Sequence, residues 1–305
     1  MATPAQPVSG DAPPPKPAMK RRWMLAILAL TFLFVLMPFL FWQGTWFGKP
    51  LSVEQLHQTL AESEHPREVQ HALSQIADRI LAPDEPTRLS AREFYPAVMR
   101  IAETGTPELR LTAAWVMGQD NTVAEFHQQL LRLLRDASPM VRRNAALGLV
   151  RFGDRAGRDE IRALLAPYSM PSPYAGILLT RLRPDDAVNP GTLLGRIQTA
   201  SAGGPSGGPV GPSGRQEEEK ELRSDVPGTI NRWLVPDGSM VTAGQPIVLI
   251  DPSPSEVWEA LRALYLIGQP QDLPAVEQFL RGGDAVPLNV RQQAEVTARA
   301  IRSRQ

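Results

Sequence analysis

The chain has 305 residues, enough for two domains, and its 32 lysines and arginines balance 32 aspartates and glutamates. No net field therefore favours a nucleic acid as partner. The absence of cysteine excludes disulfides, thiolate metal sites and thiol nucleophiles.

The N-terminal region predicts a tail followed by a membrane anchor. Residues 1–22 are rich in proline and alanine, which is typical of a disordered tail. The stretch from Trp23 to Trp42 carries no charge, and as a helix it would span about 30 Å, the thickness of a bilayer core. Basic residues precede it at 20–22, so the positive-inside rule predicts a single-pass helix in the inner (plasma) membrane of a bacterium. The tail would be cytoplasmic and residues 43–305 periplasmic. A cleaved signal peptide is the alternative, but its apolar region is shorter, about 7–15 residues.

Residues 51–183 predict a helical repeat. A helix is predicted to begin at each of Pro66, Pro107 and Pro139. In each unit the proline is followed within the same helix by an apolar residue and then by one or two alanines. Arg110 in the second unit matches Arg142 in the third. A fourth, poorer helix is expected at 174–182. The pattern resembles HEAT repeats, particularly the short variety of bilin-lyase-like repeat proteins. That resemblance implies an α-solenoid, in which each helix pair covers the apolar face of the next.

Residues 184–252 predict a linker and a small β-module. Residues 200–214 are rich in Gly, Ser and Pro and are expected to be flexible, and the charge run at 217–221 is expected to be a solvated strand or the start of a loop. Short apolar runs at 229–235 and 247–250 are separated by glycine turns, including Asp237-Gly238. Strands are therefore expected there.

The β-module resembles the biotinyl/lipoyl half-barrel of periplasmic adaptor (membrane-fusion) proteins. The matching residues are 226–230, 235–238, Val241, Gly244-Gln245 and 247–251, with 195–197 as a possible preceding strand. In lipoylated and biotinylated members the cofactor is attached to a lysine in a hairpin after the strand that ends here at Asp251. No lysine follows Lys220. The resemblance therefore implies a structural module without a covalent cofactor, and no cofactor is predicted.

Residues 253–305 predict a return to HEAT-like helices. Pro254 and Pro287 each open a repeat-like helix, with a second helix expected at 275–280. The β-module is then an insertion in one solenoid. The predicted fold class is mainly α: a HEAT-type α-solenoid with a small inserted lipoyl-like β-module and one N-terminal transmembrane helix.

The candidate site residues fall into two kinds. Histidines 57, 65 and 71 lie near Glu62 and Glu64, but the His-Glu-x-x-His spacing of a metal site is absent, so no metal is predicted. No residue set predicts catalysis. Partner binding is predicted on a concave helical face and on a β-strand, although the same residues also fit internal ion pairs and core packing. These residues are Arg110, Arg142, Arg143, Arg291 and Trp233. Trp115 and Trp258 are expected in the helical core.

The function predicted from these features is a membrane-anchored, periplasm-facing scaffold or adaptor that binds a protein partner and is not an enzyme. No nucleic acid or small-molecule substrate is predicted. Two alternatives stay open. A subunit of an efflux or secretion pump would need a long coiled-coil hairpin between two half-barrel motifs, and none is visible at 195–225. A lyase-like maturation factor would rest on fold analogy alone.

Overall fold

The computed structural model describes residues 21–44, 50–63, 65–200 and 217–304. The chain divides into a first unit, Met1–Leu51, and a second unit, Ser52–Gln305. The expectations for the tail at 1–20, for Glu64 and for the linker at 201–216 lie outside the described residues.

The first unit contains one described helix, α1 (Arg21–Gly44). A crossing of the bilayer core requires about 20 consecutive, predominantly apolar residues in one helix. In the part of the chain that the structure describes, no helix combines the length and the apolar character that a membrane crossing requires. The predicted transmembrane helix at 23–42, and the predicted location in the bacterial inner membrane that depended on it, are therefore wrong.

The second unit begins with eight helices whose starts follow local sequence signals. Ser52 and Gln55 form a reciprocal cap on the first of them, and Asp84 accepts a hydrogen bond from the amide of Thr87 at the start of another. Proline occupies the first turn of five, where its missing amide is tolerated. The helices are α2 (Val53–Glu62), α3 (Pro66–Ile80), α4 (Glu85–Ala91), α5 (Tyr95–Thr104), α6 (Pro107–Met117), α7 (Ala124–Leu133), α8 (Pro139–Arg151) and α9 (Arg158–Ala163).

Among the residues that the structure describes, eight strands follow and form the β-module. They are β1 (Tyr168–Pro171), β2 (Gly176–Thr180), β3 (Ala187–Val188), β4 (Leu193–Ala200), β5 (Glu217–Arg223), β6 (Gly228–Trp233), β7 (Met240–Val241) and β8 (Pro246–Asp251). They make two four-stranded antiparallel sheets, in the orders β1-β8-β6-β3 and β5-β4-β2-β7. Buried apolar residues of both sheets, among them Leu178, Ile197 and Ile230, form one core.

The β-module is larger than the sequence predicts, and this changes the fold class. The expected helix at 174–182 is wrong, because these residues include strand β2, which pairs with β4 and β7. With 57% helix and 15% strand, the structure is mixed α/β, so the prediction of a mainly α fold is wrong. The physical reason is that sequence turn signals mark only the second half of the module clearly.

The two halves of the β-module are copies of each other. The strands correspond in pairs: β1 to β5, β2 to β6, β3 to β7 and β4 to β8. Replacing every strand by its counterpart converts one sheet order into the other. The hydroxyl of Ser172 donates to the carbonyl oxygen of Tyr174 at 2.6 Å, and that of Ser224 donates to the carbonyl oxygen of Val226 at 2.6 Å. The module is therefore an internal duplication with a pseudo-twofold arrangement.

Three α-helices follow the module in the described residues: α10 (Pro254–Ile267), α11 (Leu273–Arg281) and α12 (Leu288–Arg302). In the helical array α3, α6, α8, α10 and α12 pack each on the next. Helix α9, which precedes the module, also packs on α10, which follows it. Ile161 and Leu165 share a buried core with Leu261 and Leu264. The helical core thus passes from one side of the inserted module to the other.

Candidate functional site

A groove of about 510 Å³ lies on the helical array, and its lining comes from four helices. Trp115 and the following loop contribute from α6, Leu147 and Arg151 from α8, Leu266 from α10, and Val296 from α12. Helices α8 and α10 are separated in sequence by the whole β-module. Their packing across that insertion therefore creates the groove.

The walls of the groove expose aromatic and aliphatic side chains. Trp115 is 41% exposed, Leu266 is 59% exposed, and Tyr265 and Val296 are also exposed. The expectation that Trp115 belongs to the core is wrong, whereas Trp258 is partly buried against the helical core. Scattered exposed apolar residues are ordinary, but several that line one concavity form a candidate binding surface.

Small residues set the close spacing of α6 and α8 beside the groove. A Cβ atom on Gly118 would lie 3.0 Å from the Cα of Gly148, and a Cβ on Gly148 would lie 3.0 Å from Cδ1 of Leu130. Glycine at these positions therefore lets α8 approach the end of α6 at Gly118 and the Leu130 side chain of α7 at Gly148. The longer side chains of Trp115, on α6, and Arg151, on α8, form part of the lining.

The groove contains two guanidinium groups and one carboxylate. Nη1 of Arg151 donates to Oε1 of Gln119 at 2.5 Å and to the carbonyl oxygen of Gly118 at 3.4 Å. The guanidinium of Arg262 lies 4.7 Å from the centre of the Trp258 ring. Although the Glu259 carboxyl reaches solvent, the surrounding walls desolvate it and raise its pKa, and the nearby Arg262 offsets part of that effect.

Two of the predicted site arginines form ion pairs within the helical array. Nε and Nη2 of Arg110 donate to the two carboxylate oxygens of Asp136 at 2.7 and 2.8 Å. Burial alone would raise the pKa of Asp136, but the bonds from Arg110 and the Ser138 amide outweigh burial and hold it below its ordinary value. Arg142 donates to Glu160 at 2.8 Å. These matched arginines link each repeat helix to its own loop or to the next helix.

The other three predicted residues lie elsewhere. Arg143 is buried and donates to Glu256 at 2.9 Å, in the first turn of α10 just after the β-module. The Nε1 of Trp233 donates to the carbonyl oxygen of Leu182 at 3.0 Å within the module. Arg291 donates to the carbonyl oxygen of Gly283 at 3.2 Å. None of the five predicted residues lines the groove, and they do not form one cluster, so their role in partner binding stays a prediction.

The histidines of the first helices contact separate side chains. Nε2 of His57 lies 2.8 Å from Oε1 of Glu93, and Nε2 of His71 lies 2.9 Å from the side chain of Gln75. Within the described ranges no group of three His, Asp or Glu side chains has the arrangement to hold a metal ion.

Comparison with models of known protein families gives no match for this sequence, and comparison with curated proteins gives no significant match. The likenesses to HEAT repeats and to the lipoyl-like half-barrel therefore remain predictions from the residues quoted above.

The groove residues carry a sequence signal that the repeat pattern obscures. The lining positions of α8 include Asn144, Leu147 and Arg151, and those of α10 include Glu259, Arg262 and Leu266. Both sets have the same spacing, three residues and then four, which places them on one face of a helix. This shared stripe could have indicated one surface formed by both helices.

Proposed function

We propose that this protein is a non-catalytic scaffold or adaptor whose helical array holds a segment of a partner protein in the groove between α6, α8, α10 and α12. The observation that carries the proposal is the exposure of Trp115, Tyr265, Leu266 and Val296 around a single concavity. Tryptophan, tyrosine and arginine dominate the binding energy of protein interfaces, and all three types line this groove.

The shape of the groove favours a polypeptide segment as its occupant. Its four walls are helices that pack in succession, and if they form a repeat array as the sequence predicts, such arrays present extended surfaces to protein partners. A groove between helices with exposed apolar side chains accepts an amphipathic segment whose apolar anchors recur every three or four residues. Covering the exposed aromatic and aliphatic surface would supply about 25 cal/mol per Å² of apolar area.

The β-module gives the scaffold a second rigid unit. It has its own apolar core and is attached to the array at both ends, through α9 and α10. Because α10 is also a wall of the groove, a partner in the groove and a partner on the module would be held at a fixed separation. Tethering of this kind raises the effective concentration of one partner at the other.

Site-specific photo-crosslinking tests the proposal. p-Benzoylphenylalanine is placed at Leu266 or Val296 in the groove and, as the matched control, at Leu89, an exposed leucine of α4 outside it. We expect both groove positions to attach the same protein through one contiguous peptide, and the control position not to. The change Trp115→Ala should lower the crosslinking yield without shifting the thermal melt. Equal labelling of that protein from Leu89, or no protein adduct from either groove position, would refute the proposal.

A further inference from the structure

Resting on the proposed function, we infer that the groove recognises an acidic segment of the partner: a carboxylate of the segment bonds to Arg151 while a neighbouring apolar side chain packs among Trp115, Leu266 and Val296. Charge complementarity at the groove is the basis for this choice of occupant.

Arg151 has unused hydrogen-bonding capacity directed at the groove. A guanidinium has five N–H donors, and both hydrogen bonds that Arg151 donates to other residues use Nη1. Both acceptors, an amide oxygen and a backbone carbonyl, are neutral. Within the described part of the chain no carboxylate forms a salt bridge with Arg151, whereas Arg110, Arg142 and Arg143 each have one. Arg151 is therefore the groove cation best placed to receive a carboxylate.

The position of Arg151 in α8 explains part of its environment but not its open donors. It lies in the last turn of the helix, where a positive charge is favoured by the helix dipole. That effect requires only a cation near the helix end. It leaves the Nε and Nη2 edge, which is the bidentate edge for carboxylates, available to a partner.

Arg262 adds to the positive charge, and Glu259 restricts where an acidic group can bind. Arg262 is held over the Trp258 ring and makes no salt bridge in the described residues, so the groove carries two cations and one carboxylate. Glu259 lies on α10 and would repel a second carboxylate placed beside it. An acidic residue of the partner is thereby directed to the α8 side, and its apolar anchor to the α10 and α12 side.

Selection of peptides against the full chain tests this inference. A random 12-residue peptide display library is panned against the wild-type protein, Arg151→Glu and Arg155→Glu. Arg155 is exposed, follows α8 and does not line the groove. Arg155→Glu is the matched control because it changes the net charge by the same amount as Arg151→Glu. We expect the wild type and Arg155→Glu to enrich peptides that combine Asp or Glu with an aromatic or aliphatic residue. Arg151→Glu should lose the enrichment in acidic residues.

Affinity measurements on one selected peptide complete the test. Fluorescence anisotropy should show binding weakened by about tenfold when its acidic residues become Asn or Gln, the effect of losing a charged hydrogen bond. The same peptide change should have little effect on Arg151→Gln, whose melting curve should match the wild type. Enrichment of basic or purely apolar peptides, no enrichment, or an equal effect of Arg155→Glu would overturn the inference. If crosslinking at the groove succeeds but acidic enrichment fails, only the inference falls; if crosslinking fails, the proposed function itself falls.

Discussion

The buried ion pair of Arg143 and Glu256 joins α8 to the first turn of α10, and its loss should destabilise the folded chain. Nη1 of Arg143 lies 2.9 Å from Oε1 of Glu256, and the two side chains are 10% and 16% exposed. The Arg143 guanidinium also lies 5.7 Å from the centre of the Tyr168 ring, at the first residue of β1. The Arg143 side chain therefore contacts residues next to both ends of the β-module, Tyr168 at its start and Glu256 just after it.

The expected magnitude follows from what remains after Arg143→Met. Removing one partner of a buried pair costs about 3–5 kcal/mol, because the other charge stays buried. Oε2 of Glu256 still accepts a hydrogen bond from the Ser253 amide at 3.0 Å, which favours the lower end of that range. Loss of the ring contact adds about 0.5–1 kcal/mol. We therefore expect a decrease of about 3–4 kcal/mol in the free energy of unfolding.

A double-mutant cycle measures this directly. Urea unfolding of Arg143→Met, Glu256→Gln and the double variant, followed by circular dichroism, should give a coupling energy of about 2 kcal/mol. The control cycle uses Arg299 and Glu295, an exposed pair on α12 with side chains 71% and 62% exposed, for which about 0.3–0.5 kcal/mol is expected. If Arg143→Met costs less than about 1 kcal/mol and the two cycles agree, Arg143 has no such structural role. The sequence-based prediction that it binds a partner would then be favoured.

Three further predictions concern other parts of the second unit. Glu259→Gln should raise the free energy of unfolding at neutral pH, because the folded-state pKa of Glu259 is raised above its ordinary 4.5. The ionised carboxylate therefore destabilises the fold above the raised pKa and has no such effect below 4.5, so urea unfolding curves of the two proteins should converge in acid. Replacing residues 168–252 by a short Gly/Ser linker should keep the helical circular dichroism signal of the array and one cooperative melt, because α9 and α10 pack directly; a separate early melt of α10–α12 would show that the array is not continuous. Gly176→Ala and Gly228→Ala should each lower the melting temperature by similar amounts, since φ is +157° and +149° and a Cβ would lie 2.2 and 2.1 Å from a carbonyl oxygen; a change in only one of them would contradict the duplication.

The helices that open with proline could be predicted from sequence because their signals are local. Ser253 with Glu256, and the prolines in the first turns of α6 and α8, mark the starts within a few residues. Such signals depend only on neighbouring residues, so the long insertion between α9 and α10 does not affect them.

The first half of the β-module could not be predicted with the same confidence because its turn chemistry is weaker. In the second copy Asp237-Gly238 supplies a glycine at positive φ, whereas in the first copy Asp185 adopts φ of 72°. Aspartate tolerates that conformation but does not mark it as glycine does. Ser172-Pro173 also resembles a helix start, yet Ser172 is buried and bonds the backbone of Tyr174. The weak turn signal and the apparent helix start together lead the sequence pattern to predict a helix where the structure has strand β2.

The groove could not be predicted because it depends on a contact between distant residues. Arg151 and Arg262 line one concavity only because α10 packs beside α8. No local sequence pattern predicts that these two helices are neighbours. Apolar periodicity also placed Trp115 in the core, since an exposed tryptophan on a repeat helix has the same spacing as a buried one.

Hydrogen–deuterium exchange of the full chain, with and without the crosslinked partner or a selected acidic peptide, would show which elements the partner segment covers. We predict slower exchange in peptides that cover α6, α8, α10 and α12, with little change in α3, α4 and the sheets of the β-module. Protection confined to the β-module, or to helices that do not line the groove, would contradict this prediction.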